Sequence, residues 1–129
     1  MEKKFFSLGA FFAGLAVATG SFGAHGLQKL VPVESLTAWE KAVRYQMYHA
    51  FALFFVAWAI THWRDQTRLF STAGWAFVLG IALFSGSLYI LSLTGTLTVA
   101  AINLAYITPA GGVAFVIGWL ILLIAVRRA

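Results

Sequence analysis

Residues 69–126 read LFSTAGWAFVLGIALFSGSLYILSLTGTLTVAAINLAYITPAGGVAFVIGWLILLIAV, a run of 58 positions without one Asp, Glu, Lys, Arg or His. No soluble domain of 14.0 kDa can hide so much apolar sequence. The run places the chain in a lipid bilayer, and it is long enough for two crossings, since one takes about 20 mainly apolar residues. It also carries no ionisable group inside the membrane, which argues against ion-coupled transport.

Working outward, four crossings are predicted, at about residues 5–25, 45–62, 69–93 and 107–126, forming a single transmembrane domain over 1–129. Lys3 and Lys4 precede the first, and Arg127 and Arg128 close the last. Two lysines, an apolar run and small residues near Thr19–Ser21 also resemble a signal peptide, but the glycine ladder runs past that point, so the first segment is read as a span. The fold class is all-α: a polytopic membrane protein, an antiparallel four-helix bundle with an amphipathic outer extension of helix 2.

Composition agrees. Hydrophobic residues make up 61% and charged residues 10%, and mean hydropathy is +0.87. The formal charge of +5 comes from basic residues scattered between apolar runs, not from the basic stripe that nucleic acid requires. Cysteine is absent, which excludes disulfides, thiolate metal sites and thiol redox chemistry. With the N-terminus inside, Lys3, Lys4, Arg64, Arg68, Arg127 and Arg128 lie on the inner side, against Lys29, Lys41 and Arg44 outside. Short loops on the cytoplasmic side carry the excess of Lys and Arg, so both termini are expected in the cytoplasm.

Two connections carry pattern. Leu36, Trp39, Val43 and Met47 recur at helical spacing opposite Thr37, Glu40, Lys41 and Arg44. Helix 2 is therefore expected to start near Ser35, lie partly in the outer interface and then turn into the membrane. A capping box between Thr37 and Glu40 and a Glu40–Arg44 pair are expected there, with Gly26 as the C-cap of helix 1. Residues 97–107 are too few to span, and Pro109 is expected to open the last helix. The stretch before it then reads as a short interfacial helix; a long Pro-kinked helix is the competing picture.

Lipid gives helices no hydrophobic reason to associate, so close packing of small residues must hold them together. Gly9–Ala13, Ala10–Gly14, Ala16–Gly20, Ala76–Gly80 and Ala82–Gly86 are pairs of that kind. The glycines expected at helix contacts are Gly14, Gly20, Gly23, Gly80, Gly86, Gly111 and Gly112, and Gly14→Leu is expected to destabilise the bundle.

The polar residues gather toward the outer end: His25, Arg44, Tyr45, Gln46, His49, Tyr89 and Asn103. They are expected to form one cluster, with Gln46 and His49 sharing a face. The simplest reading is structural, with His25 capping helix 1 and His49 bonded to a neighbouring helix. A recognition site for a lipid headgroup or small polar ligand, with Arg44 as anion anchor, is the functional one.

The segments Ser21–Leu27 (SFGAHGL), Tyr45–His49 (YQMYH), Leu83–Tyr89 (LFSGSLY), Ile107–Gly112 (ITPAGG) and Gly118-Trp119 occur in order along nearly the whole chain. The ordered set resembles the YgdD-like family, small four-span proteins grouped as a domain of unknown function and similar to animal transmembrane protein 256. Gly20-Ser21-Phe22 departs mildly from that family's usual Gly-Ala-Phe. The resemblance implies a bacterial inner-membrane location and supplies no activity. The sequence thus predicts a non-enzymatic binding or accessory module without metal or cofactor. Its expected partners are membrane lipids, a second copy or another membrane protein, and no nucleic acid. The alternatives are a redox accessory holding haem or quinone through His25 and His49, and an oligomeric small channel or carrier.

Overall fold

The computed structural model describes residues 1–129. Helix α1 spans Glu2–His25, α2 Val33–His62, α3 Thr67–Gly80 and α4 Gly86–Thr94. A π-helical turn, Ile81–Ser85, joins α3 to α4, so the two make one third span. Strands β1 (Thr98–Val99) and β2 (Ile102–Asn103) follow, and α5 spans Leu104–Arg128. Glu2–Lys29, Arg64–Thr94 and Leu104–Arg128 are long and apolar enough to cross a membrane. Helix α2 carries Glu34, Glu40, Lys41 and Arg44 within its first twelve residues and no Asp, Glu, Lys or Arg below them.

Helix α2 is the centre of the bundle. It packs along α1 on one side and against the third span on the other, while α5 packs along α3 and the π turn. Eleven of its residues are buried, against four on α1. The apolar core lies toward the end of the bundle that carries both termini, where Phe5, Leu53, Val56, Phe70, Phe77, Phe115 and Leu122 interlock. In lipid this interlocking is the main attraction between helices.

Glycines serve it where a ring must reach a backbone. Phe77 on α3 lies against Gly118 on α5, and Phe115 on α5 lies against Gly80 on α3, a reciprocal pair of knobs and notches. Gly111 brings α5 against the backbone of Phe84 in the π turn. Gly23 admits Trp39, where an added Cβ would stand 2.7 Å from the indole, and Gly20 faces Val43. Gly9 meets the Ala50 carbonyl and Phe54, and Gly74 receives Phe5.

The glycine expectations divide. Gly20, Gly23, Gly80 and Gly111 sit at helix contacts, whereas Gly14 and Gly86 face open space, with nothing within 4 Å of an added Cβ. Gly112 has only an ordinary contact with Phe84. The α1 contact runs through Gly9, Ala16, Gly20 and Gly23, and Gly14 is exposed on another face. The expectation that Gly14→Leu destabilises the bundle is therefore corrected.

Helix α2 starts at Val33 after Pro32, two residues before the expected Ser35, and runs unbroken for 30 residues. The outer extension continues the helix and packs on α1 through Trp39 and Val43. No capping box forms, because the Thr37 hydroxyl donates to the Val33 carbonyl and the helix start has no side-chain cap. Glu40 and Arg44 form no ion pair; the single salt bridge joins the N-terminal ammonium to Glu2. Gly26 does cap α1, donating to the Phe22 carbonyl at 2.8 Å, in a right-handed conformation.

The outer connection is also corrected. Residues 97–107 do not form an interfacial helix: Thr98 pairs with Asn103 and Val99 with Ile102 in a small antiparallel hairpin. Gly95, at φ 68°, ends α4 in the left-handed conformation that glycine adopts without steric cost. Ala100 and Ala101 form the hairpin turn at φ 51° and 65°, the signature of a primed turn that matches strand twist. Asn103 then caps α5, its side chain accepting from the Ala105 N–H at 2.9 Å. Pro109 lies inside α5, past its first turn, so the last helix does not open there.

Candidate functional site

The expected outer cluster resolves into two separate sets. The first ties α1, α2 and α4 together. Buried Gln46 donates to the Phe12 carbonyl at 2.9 Å and accepts from the Tyr89 hydroxyl at 2.8 Å. The Tyr89 hydroxyl also meets Thr19 Oγ1 at 3.1 Å, and the Trp39 indole donates to the Thr19 carbonyl at 2.8 Å. One turn from Tyr89, Ser85 donates across to the Ala42 carbonyl at 2.7 Å. Ser87 bonds both the Phe84 carbonyl and the Thr108 hydroxyl of α5. Every polar atom of the buried amide finds a partner inside the chain, so this set fixes helix positions.

The second set faces α5. The Trp119 indole N–H donates to His49 Nε2 at 3.1 Å, and His49 Nδ1 lies 2.7 Å from the Tyr45 carbonyl. An indole nitrogen only donates, so Nε2 is the acceptor and the proton sits on Nδ1, pointing at the carbonyl. The imidazole is therefore neutral with both nitrogens engaged. It also stacks on Phe115, with centroids 3.5 Å apart and planes 9° from parallel. His49 and Gln46 are three residues apart but serve opposite neighbours.

Three expected members join neither set. His25 is exposed at the end of α1, Arg44 is exposed without an ion pair, and Asn103 serves as the cap of α5. His25 and His49 are not at one depth. Gly23 is level with Trp39 and Phe12 with Gln46, so His25 stands above His49 by some twelve residues, about 18 Å of helical rise. With that separation and no free nitrogen on His49, the pair cannot ligate one haem. No three His, Asp or Glu side chains come together to hold a metal ion.

The His49–Trp119 bond forms the floor of a cleft between α2 and α5. Its volume is about 810 Å³, and its walls include Tyr45, Tyr48, Phe84, Gly112, Phe115 and Val116. A second compartment of about 470 Å³ adjoins it on the C-terminal side of α5, lined by Phe51, Phe55, Leu122, Leu123 and Val126 among others. Tyr48 and Trp119 belong to both. The Tyr45 and Tyr48 hydroxyls have no hydrogen-bond partner in the chain, and Tyr48, Val113 and Val116 are more than half exposed. Sequence reasoning reached Tyr45 and His49 but missed Trp119, Phe115 and the cleft. It also missed Thr19 in the buried network; Trp39 had shown only as part of an apolar stripe.

A four-helix membrane bundle with a lateral cleft is the class these features define. The chain belongs to the family described as "Protein of unknown function (DUF423)", which matches residues 19–112. It is 47% identical over 123 residues to "UPF0382 membrane protein YwdK" of Bacillus subtilis (strain 168), covering 95% of both chains. It is 47% identical to "UPF0382 membrane protein SAB0533" of Staphylococcus aureus (strain bovine RF122 / ET3-1), covering 95% of this chain and 94% of that one. "UPF0382 membrane protein SSP2132" of Staphylococcus saprophyticus is 46% identical over 122 residues, covering 95% of both. No solved structure matches. These relatives are named as membrane proteins, in agreement with the multi-pass helical fold.

Proposed function

We propose that this protein is a non-enzymatic accessory module of the bacterial inner membrane that holds a membrane lipid in the cleft between α2 and α5. The cleft carries the reading: two adjoining compartments of about 810 and 470 Å³, sharing Tyr48 and Trp119, walled almost wholly by apolar side chains and open along the side of the bundle. Lipid sites of this kind are concave and apolar, with a few polar groups that fix orientation. Here those groups are the unpaired Tyr45 and Tyr48 hydroxyls. Both termini lie in the cytoplasm, as the six inner Lys and Arg against three outer ones favour; the cleft's ring-lined compartment then sits in the outer leaflet.

Photoactivatable phosphatidylglycerol, with a diazirine on one chain, tests this in reconstituted membranes. Crosslinks are expected to concentrate on α2 between Tyr45 and Phe55 and on α5 between Gly112 and Val126. Labelling spread evenly over the lipid-facing sides of α1 and the third span overturns the reading. The chain has no cysteine, so single introduced cysteines at Ser35 and Asp65 report orientation cleanly. The Ser35 site should be labelled from outside and the Asp65 site should not.

A further inference from the structure

Resting on that lipid-site reading, we infer that the lipid is a single long-chain polyprenyl monophosphate, its phosphate at Lys41 and Arg44 and its chain running down both compartments of the α2–α5 cleft. The first argument is length. Pro109 lines the outer compartment and Val126 the inner one, a span of about 26 Å at the helical rise. The hydrocarbon slab is about 30 Å thick, so the cleft crosses both leaflets. A glycerophospholipid chain ends near the midplane, close to where Trp119 joins the two compartments. One occupant filling both must have a chain longer than one leaflet.

The second argument is charge. Lys41, Arg44 and Tyr48 follow at i, i+3 and i+7 on α2, which aligns them on one face. Tyr48 lines the cleft, so the two cations lie on the cleft face of α2, about one and two helical turns above Tyr48. Both are exposed and neither forms a salt bridge. Glu40 and Glu34 are the only acidic residues at this end, and neither is bridged; β1, β2 and α5 carry none. An arginine with a neighbouring lysine matches a phosphate in charge and hydrogen-bond geometry. The occupant is therefore anionic at its head, uncharged along its length, and longer than one leaflet.

Competition in native mass spectrometry tests this on the intact protein in lipid nanodiscs. Undecaprenyl phosphate is expected to displace phosphatidylglycerol with a preference of about tenfold or more, and farnesyl phosphate, too short for the inner compartment, to lack that preference. Leu123→Trp, which fills the inner compartment from an exposed position, should abolish the preference while leaving phosphatidylglycerol bound. Arg44→Gln should weaken undecaprenyl phosphate binding with unchanged thermal stability. Equal retention of undecaprenyl phosphate and phosphatidylglycerol overturns this inference and leaves the lipid site standing. Retention of neither overturns both.

Discussion

Trp119 on α5 and His49 on α2 share a hydrogen bond of 3.1 Å, indole N–H to imidazole Nε2. The bond sets the tautomer of the histidine and closes the floor of the cleft. In the wild-type protein, nitrogen-resolved NMR should show the His49 proton on Nδ1 and an unprotonated, accepting Nε2. Trp119→Phe removes the donor and also shrinks the ring packed on Phe77, so the bundle should lose at least the roughly 0.5–1.5 kcal/mol of an interhelical hydrogen bond in a membrane. An unchanged imidazole spectrum in that variant would show that the bond does not form.

Gly111 and Gly14 give opposite outcomes for the same kind of substitution. An added Cβ at Gly111 meets the backbone of Phe84, which has no rotamer to escape into; at Gly14 it meets nothing. Gly111→Ala should cost about 1–3 kcal/mol, the range for overpacking, and lower the melting temperature in detergent clearly. Gly14→Leu should leave the melting temperature of the isolated bundle unchanged. A reversal of that order contradicts the helix rotation described above.

The buried amide of Gln46 links α1 to α4 by bonding Phe12 and Tyr89 at once. Gln46→Leu and Tyr89→Phe should each destabilise by about 0.5–1.5 kcal/mol. The double variant should fall short of the sum, because each single change already breaks the same bond. Strict additivity in thermal or denaturant unfolding would mean that the two side chains do not communicate.

The outer hairpin holds Ala100 and Ala101 left-handed, a conformation that costs an L-residue about 1–2 kcal/mol. Ala101→Gly should therefore stabilise the hairpin by about 0.5–1 kcal/mol, read as slower amide exchange of Ile102 and Leu104. Faster exchange would place the turn in another conformation.

The helical layout was legible because long apolar runs stand in the sequence itself, and residues 69–126 hold the greater part of two of the three helices long and apolar enough to cross a membrane. The outer hairpin was not, since its turn is Ala-Ala and lacks the Asn-Gly or Asp-Gly that marks a primed turn. Pro109 reads as a helix start from its local preference, yet Asn103 provides a cap six residues further out. Small residues lie on more than one face of α1, so their spacing shows that helices can pack closely without showing which face does. The depth of His25 relative to His49 depends on how far α2 extends along α1, a tertiary matter fixed by the fit of Trp39 into Gly23. The His49–Trp119 bond joins residues 70 positions apart, and no local pattern marks it.

Lipid occupancy of the α2–α5 cleft is the central claim, and Val116→Trp tests it most directly. Val116 lines the cleft and is 58% exposed, so a larger ring there fills the cleft without disturbing the core. Native mass spectrometry of the protein released from its own membranes should show a tightly retained lipid on the wild type and none on Val116→Trp at equal thermal stability. Equal lipid retention by both proteins, or none on the wild type, would contradict the account.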